Sequence, residues 1–145
     1  MSNPSDRPPG ISLLPAFFRA CFAILAGLIV IGLLSAMTDR LMVGIGFFPA
    51  DGSTMSDSHF AIAVVYRVLF QIGGCALAGR LAKSHPMRIA LILATIGLVG
   101  TAASTLATWR RTDMGPHWYA LALVLSALPC GYLGGLVAER ARRRA

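Results

Sequence analysis

Hydrophobic positions run through this chain in long unbroken blocks, not in the short alternations or half-apolar stripes of a domain that faces water. Ala20–Met37, Ile89–Trp109 and Trp118–Ala138 carry no charged side chain, and Phe60–Gly79 is interrupted only by Arg67. Crossing the roughly 30 Å hydrocarbon layer of a bilayer takes about 20 apolar residues. Each block therefore predicts one transmembrane helix, over about 16–38, 60–81, 87–109 and 117–138. The predicted fold class is all-α: an integral membrane bundle of four transmembrane helices filling residues 15–140. A Pro-, Ser- and Gly-rich tail, 1–14, precedes it and a short basic tail, 141–145, follows.

The connections agree with this division. The segment between the first two blocks, "TDRLMVGIGFFPADGSTMSDSH", is the longest. Its "LMVGIGFFP" is too apolar for open water and too short to span, so it either prolongs helix one or lies in the interface. The other two connections, around "KSHPM" and "RRTDMGPH", are tight and predict antiparallel neighbours. Pro86 marks the start of helix three or the stop of helix two, and Pro129 interrupts the hydrogen bonding of helix four.

Composition changes the picture only by strengthening it. The chain of 145 residues is 56% hydrophobic and 13% charged, with mean hydropathy +0.69, whereas soluble domains carry about 25% charged residues. The net charge of +7 would suit a nucleic-acid partner if the cations clustered on one face with aromatics between them. They sit at helix ends instead, so the predicted partner is the lipid bilayer and not nucleic acid.

Cytoplasmic loops of membrane proteins are enriched in Lys and Arg. With the first residues inside, the inner side holds Arg7, Arg19, Arg80, Lys83, Arg88, Arg140, Arg142, Arg143 and Arg144, against Arg40, Arg110 and Arg111 outside. The bias predicts both termini in the cytoplasm of a bacterium, the protein being a multi-pass component of the inner membrane. The first block is longer than the apolar core of a secretory signal and lacks a good small-residue cleavage site, so an uncleaved span is expected. Cys21, Cys75 and Cys130 have no C-x-x-C spacing and read as small buried hydrophobes.

In lipid, helices associate through close backbone approach and polar contacts. Small residues recur at helical spacing in each later block, which predicts Gly74, Gly97, Gly131 and Gly134 as helix-packing positions. Trp109, Trp118 and Tyr119 flank one tight loop and predict an aromatic belt of interfacial anchors. Arg67 shares a helical face with Gln71, so its charge is expected to look at other helices. Asp39, at the outer end of helix one, is its expected counter-charge. Arg67, Gln71 and Asp39 form the candidate intramembrane polar site, since charges within a membrane are functional hypotheses by default.

Other chemistry is not indicated. No further acid or lysine lies within a block, and His59, His85 and His117 fall in three different connections. No catalytic constellation, metal-ligand spacing or cofactor motif is visible.

Residues 66–135 contain "YR" (66–67), "GG" (73–74), "GRLA" (79–82), "PMR" (86–88), "ATW" (107–109), "GPHWY" (115–119), "ALP" (127–129) and "LGG" (133–135). In these pieces the chain resembles a family of small four-helix bacterial inner-membrane proteins that has no established activity. The resemblance implies a polytopic four-helix fold and supplies no activity to carry over. The leading functional expectation is a non-enzymatic accessory or assembly subunit that packs against other membrane proteins or against copies of itself. The alternative is a small-solute or ion transporter or channel acting as an oligomer, with Arg67 and Gln71 facing the pathway.

Overall fold

The computed structural model describes residues 13–49, 55–82, 85–110 and 116–144. They fold into four helices, α1 (Leu13–Gly44), α2 (Asp57–Ala82), α3 (Pro86–Thr108) and α4 (His117–Arg143), with no strand among the described residues. All four are long and apolar enough to cross a membrane. Successive helices are antiparallel, so α2 and α4 run the same way. One end of the bundle, the near end, carries the start of α1 and the end of α4. The far end carries the α1–α2 and α3–α4 connections. The predicted tail 1–14 lies almost wholly outside the described residues.

The helices overrun the predicted spans where nothing stops them. "LMVG" (41–44) continues α1, and the chain then turns at Gly46, whose φ of 75° suits a residue without Cβ. The Phe47 and Phe48 amides close this turn on the Met42 carbonyl at 2.9 and 3.0 Å. Phe48 folds back into the protein, packing with Ala63 and Tyr66 at 6% exposure. The apolar run in the long connection is thus half helix extension and half a side chain inserted under it. At the other extreme, α4 is continuous through Pro129 and ends on Arg140, Arg142 and Arg143. Cations there complement the negative end of the helix dipole. α3 begins at Pro86, and His85 before it takes a left-handed conformation (φ 49°, ψ 58°), in keeping with the bar on right-handed helix before proline.

The bundle is built inside out relative to a protein in water. Its buried positions are mainly Ala and Cys, with Leu93 and Cys75 the largest side chains fully covered. Its exposed positions are large: Phe22 and Ile29 on α1, Leu106 on α3 and Leu125 on α4 are 64–75% exposed. Such a surface is stable against lipid, whose tails are as apolar as leucine, so tight packing and not hydrophobic burial holds the helices together.

That packing is uneven along the bundle axis. Near-end and central residues of α1, α2 and α3 form the main buried cluster, with Ala23, Ala78, Ala90 and Leu93 at its centre. A Cβ placed on Gly134 of α4 would lie 2.5 Å from the Cys75 Cβ and 2.8 Å from the Ile72 carbonyl of α2. One on Gly79 of α2 would lie 2.9 Å from the Ala138 Cβ and 3.0 Å from the Pro86 carbonyl. Helix backbones touch there. Toward the far end the inward residues become long or aromatic, the buried cluster shrinks to Phe48, Ala63 and Tyr66, and open space appears between the helices.

Candidate functional site

The far-end space is organised around one ion pair. Arg67 Nη2 donates to Asp39 Oδ2 at 2.8 Å, and the Tyr66 hydroxyl donates to Asp39 Oδ1. Helix geometry explains why residues so placed meet. From their contact at Gly27 and Gly74, α1 rises about 18 Å to Asp39 and α2 about 10 Å to Arg67, at 1.5 Å per residue. Side chains tilt toward their own helix N-terminus, so Asp39 leans down the bundle and Arg67 leans up. The length of the arginine closes the remaining gap. Both side chains are about one-third exposed (34% and 36%). The Arg67 guanidinium carbon also lies 5.9 Å from the centre of the Tyr119 ring, which itself packs on Phe60 at 5.1 Å. Arg67 Nε is buried and has no hydrogen-bond partner.

Arg67 separates two spaces. Above it, toward the far end, a cavity of about 570 Å³ is bounded by Asp39, Arg40, Phe48, Phe60, Tyr66 and Tyr119. Below it, a groove of about 170 Å³ continues between α1, α2 and α3 past Ser35, Gln71, Gly97 and Thr101, reaching Leu28, Cys75 and Leu93. There the packed half of the bundle begins: Leu93 lies against Gly27, where a Cβ would meet its Cδ2 at 2.6 Å. The two spaces adjoin at Arg67, and the lower one ends against the packed near-end half.

The structure brings Asp39 and Arg67 together and places Gln71 one turn deeper, on the groove wall. Gly74, Gly131 and Gly134 all stand at close backbone approaches, Gly74 in the notch between Gly27 and Ile31 of α1. Gly97 departs from the packing expectation. A Cβ there would find only the Gln71 amide nitrogen, at 3.7 Å. The long glutamine holds α2 and α3 apart at this level, so Gly97 borders space. Trp109 and Trp118 lie at the far-end rim. Trp118 Nε1 donates to Asp57 Oδ1 at 3.2 Å, tying the start of α4 to the start of α2. The Trp109 ring packs on His117 at 4.4 Å. Tyr119, expected as a third anchor, turns inward onto the cavity wall and packs against Phe60, with the Arg67 guanidinium nearby.

Tyr66 and Phe48 are the site residues that sequence reasoning passed over, while Tyr119 was expected only as an interfacial anchor. Tyr66 adjoins the only charge in its span, which was a usable signal. Residues adjacent on a helix differ by about 100°, so Tyr66 falls off the Arg67 stripe yet still reaches Asp39. Nothing local marks Phe48, whose burial depends on the turn at Gly46. Among the described residues no group of three His, Cys, Asp or Glu is placed to hold a metal ion. Comparison with protein-family models, with curated proteins and with solved structures finds no match, so the functional reading rests on the residues of this site.

Proposed function

We propose that the chain is a non-enzymatic polytopic protein of the bacterial inner membrane, with both termini in the cytoplasm, and that it binds a small solute entering the recess from the far, periplasmic end. One observation carries this reading: Arg67 borders both the far-end cavity and the deeper groove, so the one charge within α2's apolar span faces open space on two sides and not a sealed contact. A cavity of about 570 Å³ falls within the size of small-molecule sites. The recess is one-sided, which supports binding; transport adds an opening of the packed near-end half, where glycines hold the backbones together.

Substituted-cysteine labelling tests the reading. In a background with Cys21, Cys75 and Cys130 replaced by Ala, Ser35→Cys and Thr101→Cys should react with a membrane-impermeant thiol reagent added from the periplasmic side. Ala90→Cys, in the packed half, should not. Protection of all three positions would mean that the groove is sealed from water and that the recess binds nothing soluble.

A second reading, the accessory or assembly subunit, draws on α3. Beyond the packed region Gly100, Ala103, Ser104 and Ala107 are exposed at helical spacing, a pattern that lets another helix approach closely. Purification in mild detergent tests it. A stoichiometric foreign membrane protein retained by the wild type and lost on Ala103→Leu supports assembly; an unaccompanied chain supports solute binding alone.

A further inference from the structure

Resting on the solute-binding reading, we infer that the far-end cavity selects an amphipathic anion: a single carboxylate or phosphate group on an apolar body. The charge inventory carries this. Asp39 is the one acid on the cavity wall among the described residues, and both its oxygens are engaged, Oδ1 by Tyr66 and Oδ2 by Arg67. Its single negative charge is already matched by Arg67. Two arginines face the same space. Arg67 spends one nitrogen on Asp39 and keeps a buried Nε without a partner. Arg40 is exposed and has no carboxylate within ion-pair distance among the described residues. Among the described residues the wall therefore carries one positive charge more than it neutralises, and the exposed Arg40 guanidinium keeps its donors free for a ligand.

The rest of the lining is apolar. Val43, Phe48, Met55 and Phe60 line the same cavity as the arginines. A small hydrophilic anion such as inorganic phosphate would leave these surfaces empty, and a neutral hydrocarbon would leave the arginines unanswered. A molecule with its acid group between Arg40 and Arg67 and its chain along the phenylalanines satisfies both. Charge-assisted hydrogen bonds to guanidinium are roughly twice as strong as neutral ones, and arginine presents a fork suited to carboxylate and phosphate. Two sources share this chemistry: a free fatty-acid-like carboxylate and the phosphate headgroup of a bilayer lipid.

The test uses the full chain in phosphatidylcholine nanodiscs and dodecanoate bearing a photoreactive diazirine on its terminal carbon. Mass spectrometry should find adducts concentrated on Val43, Met55 and Phe60. Unlabelled dodecanoate should displace the probe, while dodecanol and dodecyltrimethylammonium should require at least about tenfold more, the equivalent of one charge-assisted contact. Arg40→Gln, which breaks no ion pair among the described residues, should raise the dodecanoate requirement by a similar factor and leave that for dodecanol unchanged. Phosphatidylglycerol in the nanodisc that suppresses the adducts identifies a lipid headgroup as the anion; unaffected adducts identify the free carboxylate. Equal displacement by the alcohol or the cation overturns the anion inference and leaves the binding reading standing. Adducts scattered over the lipid-facing surface with no preference for the cavity overturn both.

Discussion

Asp39 and Arg67 stand 28 positions apart in the chain and meet at 2.8 Å across the α1–α2 interface, joined on the carboxylate's other oxygen by Tyr66. Each contact draws together helices that otherwise touch closely only in the packed half of the bundle. The pair thus bridges the splayed end, with about one-third of each side chain left uncovered by protein (34% and 36%).

Removing either partner leaves the other charge uncompensated, a loss of about 3–5 kcal/mol in a dry site and less where water reaches. With both side chains about one-third exposed, Arg67→Ala and Asp39→Ala should each cost about 1–3 kcal/mol. The double variant should lose clearly less than the sum. Unfolding in mixed detergent micelles measures all three, and additive losses would show that the pair is not coupled.

The glycines separate into two kinds that one experiment tells apart. At Gly134 a methyl group meets the Ile72 carbonyl at 2.8 Å and the Ala76 amide nitrogen at 3.0 Å, backbone atoms that cannot turn aside. Gly134→Ala should destabilise by about 1–3 kcal/mol, as overpacked contacts do. At Gly97 the nearest atom is 3.7 Å away and belongs to a flexible side chain. Gly97→Ala should be neutral or stabilising by about 0.5–1 kcal/mol, the gain of alanine over glycine within a helix. A loss at Gly97 equal to that at Gly134 would mean that the groove closes in the membrane.

These two glycines also show what the sequence could and could not tell. The helices, their order and their inner faces follow from the length of the apolar blocks and the recurrence of Ala and Gly, because in lipid both signals have few competing causes. Arg67 was legible as the one charge within its span and Asp39 as the acid at the same end of the neighbouring helix. Gly97 lay on a small-residue stripe as regular as that of Gly131, yet its surroundings are set by Gln71 on another helix. Tyr119 looked like a belt residue from its place beside Trp118, and its inward turn depends on where α2 brings Phe60 and Arg67. Periodicity locates a face on a helix; it does not say how far away the facing helix stands.

Orientation has its own measurement. The proposed topology puts the far-end cavity at the periplasmic surface and the arginines of the last turn of α4 in the cytoplasm. A reporter active only in the cytoplasm should work when fused after Ala145. One active only in the periplasm should work when inserted near Ser56. The reverse pattern would turn the recess to face the cytoplasm.

The contribution of the tyrosine is separable from that of the ion pair. Tyr66 packs against Phe70 at 5.7 Å and is 9% exposed, so Tyr66→Phe preserves the ring and removes only the hydroxyl. That leaves Asp39 Oδ1 without its donor, at a cost of about 1–3 kcal/mol for an unsatisfied polar group and less in proportion to the water that reaches the carboxylate. In an Asp39→Ala background the acceptor is already gone and the hydroxyl is itself the orphan. There Tyr66→Phe should cost nothing or restore a few tenths of a kcal/mol. Thermal unfolding of the four variants in one detergent gives the comparison. An equal loss in both backgrounds would show that the hydroxyl acts through another group, and Asp39 would then be held by Arg67 alone.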